Sequence, residues 1–150
     1  MGCKEIGGCR LRLVAYIDGS SAGNPGEAGY GIVLKDEGGK VLKTLGRYLG
    51  LMTNNAAEYE GLIGCLELAA QWGATSLAVY SDSELIVNQM NGTYRVRKEH
   101  LRALHDRALT VIKNGSMRFS IKHISREMNK EADGLARRAV RLRMEVEGNS

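Results

Sequence analysis

Four carboxylates stand out by type and position: Asp18, Glu58, Asp82 and Asp133. Asp18 ends a run of branched and apolar residues (RLRLVAYID, 10–18) and opens a glycine-rich turn. Asp82 ends a second such run (SLAVYSD, 76–82), directly before a helical pattern. In open α/β sheets, ligand sites lie at the carboxyl ends of strands. If those two strands are parallel neighbours, both aspartates emerge at one edge. Glu58 and Asp133 fall in the first turns of two predicted helices, where the helix dipole favours a negative charge. Singly, each of the four fits a cap or a solvated charge. Held close together, they would repel strongly unless cations neutralised them. Hard oxygen ligands suit Mg²⁺ or Mn²⁺. Two such ions about 3.5–4 Å apart are a known solution for cleaving a phosphodiester. No Ser-His-Asp or Cys-His arrangement competes with this reading, and no cysteine or histidine cluster has zinc spacing.

The elements that must position these groups follow from hydrophobic periodicity. Strands are predicted over 10–18, 28–36, 41–49, 76–82 and 117–124. The second and third are joined as a hairpin across Asp36-Glu37-Gly38-Gly39. The stretch 51–73 carries Tyr59, Leu62, Ile63, Leu66 and Ala69 or Ala70 at helical spacing; Asn55 with Glu58 three later fits a capped start, and Gly73 ends it. Further helices are predicted over 83–90, over 98–113 (Leu101, Leu104, Ala108 and Val111 or Ile112 inward) and over 130–143 (Ala132, Leu135, Ala136 and Ala139 inward). The order βββαβααβα implies an α/β fold with a mixed five-stranded sheet. Its first three strands are antiparallel, its fourth and fifth parallel, and helices cover both faces.

The chain has 150 residues, enough for one domain with a real core. A single domain is expected over 1–150, with 1–9 a flexible lead-in and 144–150 a flexible tail. Hydrophobic residues are 43% and charged residues 25%, which excludes a disordered chain. The apolar stretches fall short of the ~20 residues a membrane span needs. The net charge of +4 is mild and weighs against an acidic interaction module. Cys65 sits in an apolar helical run and reads as a buried small hydrophobe; Cys3 and Cys9 flank glycines, and a disulfide between them is not favoured. With no secretory h-region near the start, a cytoplasmic, reducing location is expected. Nothing resembles a heptad or an obligate apolar interface, so a monomer is expected.

The flanking residues are specific enough for a resemblance. Asp18-Gly19-Ser20 with Gly23-Asn24-Pro25-Gly26 and Gly29 resembles the first motif of type 1 ribonuclease H. Thr53-Asn54-Asn55-Ala56-Ala57-Glu58 resembles the second, Tyr80-Ser81-Asp82-Ser83 the third, and Asn129-Lys130-Glu131-Ala132-Asp133 the fourth. The carboxylates are 40, 24 and 51 residues apart, in family order, and the resemblance spans roughly 11–142. It implies a ribonuclease H-like fold and an endonuclease that hydrolyses the RNA strand of RNA/DNA hybrids with two Mg²⁺, Mn²⁺ being the substitute. The products would carry 5′-phosphate and 3′-hydroxyl ends. By the same resemblance Asp18, Glu58, Asp82 and Asp133 are metal ligands and catalytic residues. Asp18 would bridge both ions, and Glu58 would also meet the 2′-hydroxyl that DNA lacks. Gly19, Ser20, Asn24, Thr53, Asn54 and Asn55 would contact the hybrid, and double-stranded RNA is a further partner to test.

Two more residues are candidates for the chemistry. His123 stands ten residues before Asp133, where several relatives carry a histidine that assists proton transfer or product release. Arg126, seven before Asp133, would instead place a cation near the leaving group. The basic insertion that some relatives carry between the third and fourth motifs is absent here, as in compact members. Arg95, Arg97, Lys98, Arg102 and Arg107 would replace it as a phosphate-contacting stripe or form a solvated helix face. Arg137, Arg138, Arg141 and Arg143 fit the dipole of the last helix or form an electrostatic surface. Trp72 reads as a helix-end packing residue, and His100 and His105 as solvated. Two other classes stay open at this point: a non-catalytic hybrid- or double-stranded-RNA-binding module, and another nuclease or strand transferase on the same fold.

Overall fold

The computed structural model describes residues 10–149. Six strands form one sheet: β1 (Arg12–Ser21), β2 (Gly26–Asp36), β3 (Val41–Met52), β4 (Ser76–Ser81), β5 (Arg118–His123) and β6 (Val146–Asn149). Four helices accompany it: α1 (Asn54–Gln71), α2 (Glu84–Met90), α3 (Glu99–Gly115) and α4 (Lys130–Leu142). The strand order is β5-β4-β1-β2-β3-β6. β1, β2 and β3 are antiparallel, and β1, β4 and β5 run parallel. The mixed α/β architecture read from the sequence is therefore present, with one strand more than the five expected.

The additional strand corrects the expectation of a flexible tail. Residues Val146–Asn149 pair antiparallel with Lys43–Gly46 at the edge of β3. Four residues are too few to show a period, so the pattern is invisible in sequence. Lys43 with Glu147 (3.2 Å) and Arg47 with Glu145 (3.0 Å) add ion pairs across this edge. Cys3, Cys9 and the predicted lead-in lie outside the described residues.

The first two strands also run further into the glycine-rich segment than the turn signals suggest. Residues 18–21 are strand, so the turn is confined to 22–25. Ala22 N–H donates to the carbonyl of Glu27 across it. The hairpin at Asp36–Lys40 is closed as expected, with the Asp36 carboxylate accepting from the Lys40 N–H.

The core lies between the sheet and α1. Ala15, Ile17, Ile32, Leu34, Leu77 and Val79 meet Tyr59, Leu62, Ile63 and Leu66. α1 is buried around most of its circumference because α3 packs outside it. Cys65 is fully buried there, and burial pushes its thiol up to about 12. Trp72 packs against the core at the end of α1. His105 departs from the solvated reading: it is half-buried on α3, edge-on to the Tyr59 ring with 6.3 Å between centroids.

On the opposite face α4 lies directly on β1, β2 and β3. Its inward residues are small: Ala132, Ala136 and Ala139 are fully buried. The sheet answers with Gly29, Gly31 and Gly46. A Cβ at Gly46 would stand 2.5 Å from the carbonyl oxygen of Leu135, and one at Gly31 would collide with that of Ala132. This is backbone against backbone, with no flexible side chain to yield. Gly31→Ala should therefore destabilise the fold by about 3 kcal/mol. Urea unfolding measures it, and a loss below about 1 kcal/mol would show that α4 can lift without penalty.

Candidate active site

The parallel register of β1 and β4 pairs Ile17 with Ser81, so the next residues, Asp18 and Asp82, stand side by side. Asp18 is still within β1, paired with Gly31 of β2, and is buried. Asp82 lies between β4 and α2, whose start is capped by the Ser83 hydroxyl accepting from the Ile86 N–H.

Glu58 arrives from α1, on the other side of the sheet. The helix begins at Asn54, and its cap is Thr53, whose hydroxyl accepts from the Ala56 N–H at 3.2 Å. The cap is thus Thr53 and not Asn55, and Glu58 stands in the second turn instead of the first. Both are capping residue types, so composition alone cannot separate them. Gly19 makes the approach of α1 possible: a Cβ there would stand 2.5 Å from the Glu58 nitrogen. The Gly19 N–H donates to Glu58 Oε1 at 2.9 Å. The glycine after Asp18 thus serves a helix packed on the strand, and it also lines the cleft.

One carboxylate oxygen from each of Asp18, Glu58 and Asp82 lies within 4.8 Å of the others. They form an open cleft of about 230 Å³ that is also lined by Gly19, Ser20, Ser21, Asn54, Arg126, Asp133 and Arg137. Asp133 sits at its rim, gripped by Arg137 one helical turn on, with Nε 3.1 Å from each carboxylate oxygen. The sequence reading of Arg137 as a dipole partner or part of an electrostatic surface does not include this pair; the i,i+4 spacing from Asp133 is the available signal. Asn129, the first residue of the fourth motif, has a structural role that the motif did not reveal. Its amide donates to the Ile17 carbonyl at 2.7 Å and ties the start of α4 to β1.

The other candidates separate. Arg126 lines the cleft, and its charge acts favourably on the Glu58 carboxylate. His123 is exposed at the end of β5, outside the cleft lining. The Asn24 side-chain oxygen accepts from the Asn54 N–H at 3.0 Å, joining the β1–β2 turn to the start of α1. Asn55 faces a neighbouring groove of about 740 Å³, whose lining includes Tyr94, Arg95, Arg97, Lys98 and Gln89. Arg102 folds back onto the Val96 carbonyl and Arg107 pairs with Glu60, so only part of the predicted stripe borders this groove.

Burial and mutual repulsion dominate the electrostatics. Burial, then the charges of Glu58 and Asp82, raise the Asp18 carboxyl far above the ordinary range. Burial, then the charge of Asp82, lifts Glu58 to about 8, against the relief given by the Gly19 N–H and Arg126. Two buried carboxyls, Asp18 and Glu58, that hold protons so tightly beside the Asp82 charge form a site in need of positive charge, which fits a hard divalent cation.

The chain resembles known proteins over most of its length. A family described as reverse transcriptase-like matches residues 16–139. Ribonuclease HI of Halobacterium salinarum is 39% identical over 86% of this chain, which spans 64% of that protein's length. A ribonuclease H of Anaplasma marginale is 31% identical over 91% of this chain and 96% of its own. The crystal structure of LC11-RNase H1 in complex with an RNA/DNA hybrid superposes with a TM-score of 0.84 at 37% identity, covering 87% of this chain and 98% of that one.

The raised Glu58 carboxyl predicts a pH signature when divalent cations are chelated. Folded Glu58 keeps its proton up to about 8, whereas its ordinary value is 4.5. The stabilisation is complete below the ordinary value and is lost as pH rises through about 8. Relative to Glu58→Gln, which has no proton to lose, the native chain should therefore lose thermal stability as pH rises. Melting curves in EDTA test this, and Mg²⁺ should remove most of the difference at about pH 8. A difference independent of pH would count against buried-charge repulsion.

Proposed function

The chain belongs to the ribonuclease H family, and from that membership we propose that it is an endonuclease hydrolysing the RNA strand of RNA/DNA hybrids. The observation that carries the reading is the triad Asp18, Glu58 and Asp82, with oxygens within 4.8 Å of one another in an open polar cleft. We assign these three and Asp133 as the ligands of two Mg²⁺ ions, for which Mn²⁺ would substitute. Bound there, such ions supply activation of water and stabilisation of the leaving oxygen in an in-line displacement. With water forming the new P–O bond and the P–O3′ bond breaking, the products would carry 5′-phosphate and 3′-hydroxyl ends.

The chain's own residues hold and orient the substrate. Glu58 has one oxygen fixed by the Gly19 N–H, so its carboxylate is aimed before any ligand arrives. A 2′-hydroxyl beside the scissile phosphate would donate to it, and a DNA strand has none. Asn24 spends its side-chain oxygen on Asn54 and keeps its amide donors for the hybrid's minor groove. Thr53 accepts from Ala56 and keeps its hydroxyl proton for a phosphate. Gly19, Ser20 and Asn54 line the cleft, and Asn55 opens onto the basic groove beside it. Arg126 offers positive charge beside the carboxylates, which favours it over His123 as the aid to the departing group. The free, buried Cys65 accords with a reducing, cytoplasmic setting. No helix among the described residues is long and apolar enough to cross a membrane. We take the enzyme to act as a monomer.

Asp18→Asn and Asp82→Asn should each lower hybrid cleavage by roughly 10³-fold or more while preserving the fold. The assay is cleavage of an end-labelled RNA strand annealed to DNA, with Mg²⁺, Mn²⁺ or EDTA. RNA/RNA, DNA/DNA and single-stranded RNA are the comparison substrates. Full activity in either variant would remove that residue from the ligand set. Absence of hybrid cutting by folded native protein would leave a binding module instead.

A further inference from the structure

The sheet face that carries α4 is only partly covered. α4 packs on β1, β2 and β3. Beyond it, β1 and β4 present Tyr16 and Tyr80, stacked with 5.3 Å between centroids and 23° between planes. Lys35 Nζ caps the far side of this pair, 4.9 Å from the Tyr16 centroid. On the other side, Lys122 of β5 is the register partner of Tyr80. Leu77, Val79 and Ile121 are buried on the α1 side, so strand alternation puts Tyr80, Arg118 and Lys122 on this one. Arg118 and Lys122 are exposed.

The row therefore reads cation, ring, ring, cation across four strands. Glu131 lines the pocket beside Tyr16 and Lys35, Glu127 stands in the adjoining turn, and Glu37 is paired with Arg12 at 3.3 Å. An aromatic stack among surplus cations suits a polyanion with flat bases better than an apolar protein surface. Its place supports the same occupant. Tyr16 precedes Asp18 by two residues within β1, and Tyr80 precedes Asp82, the residue just past the end of β4, by two; two residues of strand span roughly 7 Å. The ridge between cleft and platform is the turn Arg126–Asn129, whose Met128 side chain is 68% exposed.

We propose that this open sheet face is a second nucleic-acid contact, where a single-stranded extension of the hybrid leaves the cleft over Met128 and stacks a base on Tyr80, its phosphates meeting Lys122 and Arg118. The proposal rests on the reading of the cleft as a hybrid site.

Fluorescence anisotropy in EDTA tests it, using blunt hybrids, hybrids with a 5′ or 3′ single-stranded extension, and the free single strand. An extension of one polarity should tighten binding about tenfold. Tyr80→Leu should abolish the gain and Tyr80→Phe should keep it. Lys122→Ala should lower the salt dependence of the gain by about one unit of slope. Blunt-hybrid affinity and cleavage rate should stay unchanged in these variants. No gain from either extension, or a gain that survives Tyr80→Leu, overturns the proposal while leaving the hybrid reading intact. Concentration-dependent dimerisation lost in Tyr80→Leu also overturns it, giving the face to a second copy of the chain. If blunt hybrids are neither bound nor cut, the reading of the cleft fails, and the free single strand still reports on Tyr80.

Discussion

The closeness of α4 to the sheet is the constraint on which the rest of the molecule depends. Ordinary helix–sheet packing leaves room for a layer of side chains. Here Gly29, Gly31 and Gly46 remove that layer on one side, and Ala132, Ala136 and Ala139 thin it on the other. The first turn of the helix is thereby brought down to the end of β1, where Asn129 bonds to the Ile17 carbonyl. Asp133 lies one turn further on, at the rim of the cleft. A sheet with larger residues at these positions would still fold into layers, but its fourth carboxylate would stand away from the other three.

The same economy of side chains appears on the opposite face, at Gly19. It admits the backbone of α1 and offers the N–H that holds Glu58. On one face α1 is pressed against β1 at Gly19, and on the other Asn129, at the start of α4, bonds to the same strand at Ile17. The result is a cluster of acids that opposes folding on its own account, since burial and like charge both disfavour their ionised forms. The hydrophobic layer between sheet and α1 supplies the stability that such a site consumes.

Much of this was legible in the sequence, and the gaps have physical causes. Asp18 and Asp82 were placed at strand ends because period-two and apolar runs stop at them, and the neighbouring motif residues narrowed the chemistry. The helices carrying Glu58 and Asp133 were visible in their apolar spacing. What escaped were relations between distant segments. Thr53 and Asn55 are equally good caps until the chain path selects one. The fit of Gly19 to α1, of Gly31 to α4 and of Asn129 to Ile17 involves partners between 39 and 112 residues away. β6 was missed because four residues at an edge owe their order to β3 and to ion pairs, not to any pattern of their own. His105 was read as solvated because its helix face was judged without knowing that Tyr59 would lie beside it.

The hydrogen-bond ladder between β1 and β4 acts as a ruler for the chemistry. Parallel strands stand about 4.8 Å apart whatever side chains they carry. Asp18 and Asp82 occupy equivalent rungs, one past the Ile17–Ser81 pair, so their separation is inherited from the peptide backbone. Core side chains can change in volume without recalibrating that spacing, provided the rungs stay aligned. A shift by a single rung cannot be absorbed in the same way, because it would turn one carboxylate to the other face of the sheet. The dimension most important to the reaction is thus set by the part of the molecule least sensitive to the identity of its residues.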